Sequence, residues 1–139
     1  MQNIEFIKMH GLGNDFVIID RRNNEIEISK EFIKKLSDRK SGAGCDQLIT
    51  INNSFSNDHD AYIQIYNPGG DSAEACGNGT RCVAKLLFDE KNNSELKIKS
   101  DAGILIAKKI NDQNISVNLG KLSHHWRDIP LVKNVDTLN

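Results

Sequence analysis

The feature that most limits the fold of this 139-residue chain is a succession of short apolar, β-branched runs separated by polar or glycine-containing segments. Such runs, bounded by turn-forming residues, predict β-strands rather than helices. Asp101-Ala102-Gly103 and Asn111-Asp112-Gln113-Asn114 join the last three runs, so we expect an antiparallel meander there. The predicted strands are 4–9, 16–20, 48–51, 61–66, 96–100, 103–110 and 115–120.

Two segments instead carry apolar residues at the spacing of one helix face. Ser29 is a typical N-cap for the first helix, which we expect to end near Ser41-Gly42-Ala43-Gly44. The second helix is predicted from Gly79 to about Lys91. Since strands outnumber helices and hairpins outnumber crossovers, the predicted fold class is α+β. The apolar positions are Phe32, Ile33 and Leu36 in the first helix, and Cys82, Val83, Leu86 and Leu87 in the second.

Composition excludes several classes of function. The chain is 38% hydrophobic and 27% charged with a formal net charge of −1, which is typical of a globular protein and gives no basic surface for nucleic acid. No apolar run approaches the roughly 18 residues that span a bilayer, and the N-terminus has no signal-peptide core. We therefore predict a soluble, cytoplasmic protein with no nucleic-acid or membrane partner. In that setting three cysteines, an odd number, are expected to be free thiols.

One cysteine stands in a distinctive local sequence, EACGNGTR (74–81), where Cys76 directly precedes Gly77-Asn78-Gly79 and a predicted helix. A thiol works as a base or nucleophile only as the thiolate, a minor species at neutral pH for a free cysteine. The unpaired N–H groups and positive dipole end of a helix favour a nearby anion. The two glycines would also let backbone N–H groups approach a bound carboxylate. The segment thus indicates an activated thiol beside an anion site, although a cysteine that only packs in a glycine-rich helix cap fits it equally well.

The other two cysteines are weaker candidates. Six residues turn Cys82 roughly 240° around a helix from Cys76, onto the apolar stripe, so we expect Cys82 in the core. The Cys-x5-Cys spacing, with no histidine or cysteine pair nearby, matches no zinc pattern, and no metal site is predicted. Cys45 lies in a glycine-rich loop near Gln47, where it could approach a ligand.

Three segments in this order resemble the N-terminal half of the diaminopimelate epimerase family: HGLGNDFVIID (10–20), GAGCDQL (42–48) and YNPGGDSAEACGNGTRCVA (66–84). The resemblance continues more weakly through the meander to 117–120, and it departs from the family between Asn67 and Cys76, where the family more often has an Asp-Gly-Ser-Glu run. It implies an isomerase that needs no pyridoxal phosphate or other cofactor. The implied reaction inverts one α-carbon of diaminopimelate between the LL and meso forms, in the biosynthesis of lysine and peptidoglycan precursors.

The resemblance also implies roles for single residues. Cys76 matches the cysteine that, as thiolate, takes the α-proton from one face, while a second cysteine returns a proton to the opposite face. Asn14, Gln47 and Asn67 match positions that bind the substrate, although from the residues alone the two asparagines fit turns and the glutamine fits a surface position. The amides that hold the reacting carboxylate are matched by Gly77 and Asn78.

The fold implied by the resemblance is a set of mainly antiparallel strands wrapped around a central helix, one half of a pseudo-symmetric two-domain enzyme. We expect an N-terminal epimerase domain at 1–120 that carries the first catalytic cysteine, and a tail or the start of an interdomain linker at 121–139. The second cysteine of the family comes from a C-terminal half with no counterpart here, so we predict a truncated chain that is inactive alone.

Partners and alternatives follow from the same expectation. The implied partner is a small molecule, diaminopimelate, and the uncovered interdomain face predicts self-association or a homodimer. Two other readings remain open: a non-catalytic domain that binds a carboxylate or a partner chain, and a related isomerase of the proline racemase kind.

Overall fold

The computed structural model of the chain describes residues 3–129 and 131–138. Within these ranges two helices and eight strands follow one another in an order that mixes hairpins with two crossovers. The strands are β1 Ile7–Gly11, β2 Asn14–Asp20, β3 Gln47–Asn52, β4 Ala61–Tyr66, β5 Ser72–Ala73, β6 Glu95–Ser100, β7 Gly103–Lys109 and β8 Ile115–Asn118, and the helices are α1 Lys30–Ser37 and α2 Gly77–Glu90.

All eight strands belong to one mixed sheet in the order β1-β2-β3-β4-β6-β7-β8, with the short β5 paired to β4. Neighbours are antiparallel except for β2 with β3 and β4 with β6. Parallel neighbours need a crossover connection, and the segments that carry α1 and α2 supply the two crossovers. The predicted meander at the C-terminal end is confirmed as β6-β7-β8, and the α+β class is confirmed as well.

Helix α2 lies inside the curl of this sheet. It contacts both edge strands, β1 and β8, as well as β2, β6 and β7. Its stripe packs into the main core, where Cys82, Val83 and Leu87 are buried and Leu86 is half-buried, as the sequence predicts. The sheet residues that meet this stripe include Phe16, Ile18, Ile49, Ile51, Ile63 and Ile65. We call the sheet face that carries them the inner face.

Helix α1 covers the opposite, outer face of β2 and β3. Side chains alternate between the two faces of a strand, so Val17, Ile19 and Leu48 point away from α2 and form a second cluster. Phe32 and Leu36 of α1 pack against this cluster, and Ile33 is buried. Ser29 caps the helix as predicted, since its hydroxyl accepts a hydrogen bond from the Phe32 N–H at 3.1 Å.

Most predicted strands are displaced by one or two residues at an end, the last strand for example ending at Asn118 instead of 120, and three larger or more informative differences have a local reason. Strand β1 begins three residues later than predicted, and its hairpin to β2 turns through only Leu12 and Gly13, so Asn14 belongs to a strand. Helix α1 ends at Ser37, before the glycines, because Asp38 is extended and its carboxylate accepts from the N–H groups of residues 40 and 41. Helix α2 begins at Gly77 rather than Gly79, which places the thiol of interest directly at the helix start.

The described residues after Gly120 form turns and bends, without a helix or strand. The domain boundary at residue 120 therefore stays a prediction. In the described part of the chain, no helix has the length and apolar character needed to cross a membrane.

Candidate functional site

Strand alternation brings three distant polar residues to one end of the inner face. Asn14, Gln47 and Asn67 each lie two positions from an inner-face core residue, on β2, at the start of β3 and just after β4. Residues two apart on a strand share a face. Because β2 and β3 are parallel and β4 is antiparallel to both, the three positions meet at the same end. The core neighbours are Phe16, Ile49 and Ile65 respectively.

Cys76 is the N-cap of α2, the helix that packs into the core on the inner face of the sheet. Its backbone is extended (φ −148°, ψ 110°), and its sulfur accepts a hydrogen bond from the Gly79 N–H at 3.4 Å. The Cys76 carbonyl accepts from the N–H of Thr80 at 2.8 Å and from its hydroxyl at 2.9 Å. A sulfur that receives an N–H at the positive end of a helix is in a setting that favours negative charge.

The Cys76 sulfur also contacts the side chain of Asn14. Asn14 Oδ1 lies 3.7 Å from Cys76 Sγ and 3.4 Å from Asn78 Nδ2. All three side chains are half-buried, so each remains partly accessible to solvent. Residues 14, 76 and 78, which the resemblance names separately, therefore form one contact cluster in this structure.

A second cluster joins the other two candidates. Gln47 Nε2 donates to Asn67 Oδ1 at 3.0 Å, and Asn67 Nδ2 donates to Asp71 Oδ2 at 2.7 Å. Donation from Asn67 holds the pKa of the Asp71 carboxyl below its ordinary value, so Asp71 stays an acceptor. The chain of bonds leaves Gln47 Oε1 buried and without a hydrogen-bond partner in the described part of the chain. Buried side-chain acceptors are rarely left unpaired, which sets this oxygen apart from the other amide atoms of the two clusters.

Two glycines let the helix approach the strands closely. A Cβ on Gly79 would lie 2.6 Å from Ile49 Cδ1 and 3.3 Å from the Phe16 ring. A Cβ on Gly11 of β1 would lie 3.2 Å from the carbonyl oxygen of Asn78. The glycine in the third position of α2 thus serves close packing, a role that the sequence reasoning about backbone freedom did not include.

The remaining cysteines do not accompany Cys76. Cys82 is 5% exposed on the inner core, as predicted, and burial raises the pKa of its thiol. Cys45 is 2% exposed and packs with Val17 and Leu48 on the outer face, with its sulfur 3.4 Å from the Ser37 hydroxyl. The suggestion that Cys45 could approach a ligand beside Gln47 is wrong, because the two side chains lie on opposite faces of the sheet.

Charged residues that the sequence reasoning missed surround the Asn14 cluster. Asp46, next to Gln47 in CDQL, accepts from Asn14 Nδ2 at 3.0 Å, and Arg39 pairs with Asp46 at 2.9 Å. Arg39 also pairs with Asp15 at 2.7 Å and, together with Lys8, holds the pKa of Asp15 well below its ordinary value. The only sequence signal for Asp46 was its place inside a matched motif. Its contacts with Asn14 and Asp15 span 32 and 31 residues, and its pairing with Arg39, seven residues away, also depends on the fold.

Comparison with known proteins identifies a family over most of the chain. The family model described as "Diaminopimelate epimerase" matches residues 6–125. Diaminopimelate epimerase of Rhodospirillum centenum is 37% identical over 133 residues, which are 96% of this chain and 46% of that protein. The Pelagibacter ubique enzyme is 42% identical over 135 residues, covering 97% of this chain and 48% of its own length. The chain therefore spans about half the length of the curated relatives it matches.

Solved structures with little sequence similarity share the fold. A PhzF-family phenazine biosynthesis protein of Bacillus anthracis matches 84% of this chain and 40% of its own at a TM-score of 0.61 and 18% identity. A hydroxyproline epimerase of Agrobacterium vitis matches 78% of this chain and 38% of its own at a TM-score of 0.60 and 14% identity. At these identities the likeness concerns the fold, and it agrees with the predicted half of a two-domain architecture.

Proposed function

This chain belongs to the diaminopimelate epimerase family, and from that premise we propose that it provides one face of an active site that inverts the α-carbon of diaminopimelate. The observation that carries the proposal is the position of Cys76. Its sulfur is the cap of α2, receives the Gly79 N–H, and lies within one cluster with Asn14 and Asn78. A base at this point would be close to N–H groups able to hold a carboxylate.

In the proposed reaction the Cys76 thiolate removes the α-proton and becomes a thiol. The negative charge left on the substrate spreads into its α-carboxylate, which the first N–H groups of α2, at Gly77 and Asn78, are placed to stabilise. A proton delivered from the opposite face completes the inversion. In the reverse direction Cys76 gives its proton back, so the same sulfur must serve as base and as acid.

In the proposed complex Gln47 accepts a hydrogen bond from the ammonium group on the α-carbon of diaminopimelate. Its buried Oε1 atom has no hydrogen-bond partner in the described residues, and an ammonium offers only donors. The Asp71–Asn67–Gln47 series of hydrogen bonds turns this oxygen, rather than the amide nitrogen, away from Asn67. A substrate with both an amino and a carboxylate group would match the donors of the α2 start and the acceptor of Gln47.

The acid for the opposite face is not among the three cysteines of this chain. Cys45 and Cys82 are buried on other surfaces, so neither can reach a carbon bound at Cys76. We therefore expect the 139-residue chain to bind diaminopimelate without inverting it. Because neither Cys45 nor Cys82 can act as the second acid, a domain that binds diaminopimelate without catalysis is the second candidate. The two candidates differ when the missing face of the site is supplied, because only the epimerase half would then invert the substrate.

Substrate recognition can be tested by titrating the isotope-labelled chain with LL-diaminopimelate and with pimelate, which lacks both amino groups. We expect NMR shifts at the Gly77 and Asn78 amides with both ligands, and tighter binding of diaminopimelate. Gln47→Leu should remove most of that preference. Gln64→Leu is the control, because Gln64 lies on the outer face of β4. Equal binding of the two ligands by the parent chain, or shifts confined to other residues, would refute the proposal.

A further inference from the structure

The orientation of the Asn14 amide is determined by charged residues at both ends of a hydrogen-bonded series. Asparagine has one donating and one accepting end, and these are hard to distinguish by shape alone. Around Cys76 the neighbouring charged groups determine which end of the Asn14 amide is the oxygen, because a carboxylate without its proton only accepts hydrogen bonds and a guanidinium only donates them.

The carboxylate end of the series is Asp46. Its Oδ2 atom accepts from Asn14 Nδ2 at 3.0 Å and from the Asp15 N–H at 3.0 Å, while its Oδ1 atom accepts from Arg39 at 2.9 Å. The Asn14 amide and the Asp15 N–H hold the pKa of the Asp46 carboxyl below its ordinary value. Asp46 is therefore ionised at neutral pH, and Asn14 must present its nitrogen to it.

The guanidinium end is Arg81, one turn into α2. Arg81 Nη2 donates to Asn78 Oδ1, so the Asn78 nitrogen faces the other way, toward Asn14 Oδ1 at 3.4 Å. Both ends of the series thus require the same orientation. The Asn14 oxygen, and not its nitrogen, faces the Cys76 sulfur at 3.7 Å.

An acceptor beside a thiol stabilises the protonated form, whereas a donor stabilises the thiolate. The Gly79 N–H acts as such a donor on Cys76, so the two contacts oppose each other. We propose that Asp46 is a positioning residue. Through Asn14 it keeps a hydrogen-bond acceptor beside the Cys76 sulfur, which stabilises the protonated thiol and opposes the effect of the Gly79 N–H at the start of α2. The inference rests on the proposed acid and base role of Cys76, because a sulfur that works in both directions needs both protonation states to be accessible.

The test measures how fast iodoacetamide alkylates Cys76 at neutral pH, mapped by peptide mass spectrometry. Asp46→Ala removes the stronger of the two constraints on the Asn14 amide and leaves only the 3.4 Å contact with Asn78 Nδ2, so the Asn14 nitrogen can turn to the sulfur. Since the rate follows the thiolate fraction, we expect it to rise about 3- to 10-fold. Cys45 and Cys82, which are buried, report on unfolding and should stay protected in the variant. An unchanged or slower rate at Cys76, with both reporters protected, would overturn the proposal.

A double-mutant cycle separates positioning from simple loss of charge. In an Asn14→Ala background, Asp46→Ala should change the Cys76 rate less than twofold, because the residue that transmits the effect is gone. Glu74→Ala, which removes a carboxylate two residues from Cys76, should also change the rate less than twofold. A full effect of Asp46→Ala without Asn14, or an equal effect of Glu74→Ala, would show a through-space charge effect and refute the positioning role.

The assay uses no substrate, so its outcome is independent of the proposed function. If Asp46→Ala leaves the alkylation rate of Cys76 unchanged while diaminopimelate still binds, only the positioning role is refuted. If the chain does not bind diaminopimelate, the proposed function fails whatever the alkylation rates are.

Discussion

The contact between α2 and the sheet predicts that Gly79→Ala destabilises the protein although alanine is the better helix former. The added Cβ would lie 2.6 Å from Ile49 Cδ1 and 3.3 Å from the Phe16 ring, where carbon atoms prefer about 3.5–4.0 Å. Both neighbours are fully buried, so Ile49 must move by about 1 Å into a packed core. Gly77→Ala is the matched control, since the atoms nearest to its Cβ belong to the exposed Leu119, at 3.3 Å, and to Arg81, at 3.7 Å.

The two substitutions should differ by about 1–2 kcal/mol in the free energy of unfolding. Overpacking of a dense core costs about 1–3 kcal/mol, and the helix preference of alanine over glycine returns up to about 1 kcal/mol. Gly79→Ala should therefore lose about 1 kcal/mol net. Gly77→Ala should be neutral or gain up to about 1 kcal/mol, because the exposed Leu119 side chain can turn aside.

Urea unfolding followed by far-UV circular dichroism would measure these differences. Ile49→Val removes the single atom that clashes, at a cost of about 1 kcal/mol by itself. In that background Gly79→Ala should cost at least about 1 kcal/mol less than in the parent chain. Equal stability of the two glycine variants, or an unchanged cost of Gly79→Ala beside Val at position 49, would refute the close-packing account.

Three further outcomes are expected. Leu12 (φ 55°) and Gly13 (φ 85°) form a two-residue turn with positive φ at both positions, a conformation that strains leucine and that asparagine adopts more easily. Leu12→Asn should therefore stabilise the protein by about 1 kcal/mol in urea unfolding, and a loss of stability would contradict backbone strain at Leu12. Arg39 lowers the pKa of Asp15, so the stabilising contribution of Asp15 is present above pH about 4 and is lost as the pH falls. In Asp15→Asn the free energy of unfolding should therefore fall less steeply with decreasing pH below about 4, and an unchanged dependence on pH would contradict this. Gel filtration should show concentration-dependent self-association, weakened by replacing the exposed Leu119 with lysine, whereas a monomer at all concentrations would contradict it.

Periodicity predicted the elements whose own sequence carries the signal. Strand β4 was predicted with its observed bounds, 61–66, because alternating buried and half-buried residues match its two faces. The inward stripe of α2 was predicted for the same kind of reason. The start of α2 was not, because Gly77-Asn78-Gly79 has low helix propensity, and packing against Phe16 and Ile49 outweighs that propensity.

The site was predictable only as a set of separate residues. Nothing in the local sequence joins Asn14, Gln47 and Asn67, whose proximity depends on one parallel and one antiparallel strand pair. The resemblance named them, and the structure adds that Asn14 contacts Cys76 and that Gln47 contacts Asn67. The orientation of the Asn14 amide depends on neighbours 32 and 64 residues away in sequence, so no local motif could have predicted it.

The central claim, that Cys76 exchanges a proton with the α-carbon of diaminopimelate, is tested most directly in heavy water. The chain would be combined with the part of the Pelagibacter ubique relative that it does not match, and gel filtration would first establish that the two assemble. We predict deuterium at the α-carbon together with the meso isomer in the assembled pair, neither with the chain alone, and neither when Cys76 is replaced by serine. An assembled pair without exchange, or exchange that survives Cys76→Ser, would contradict the account.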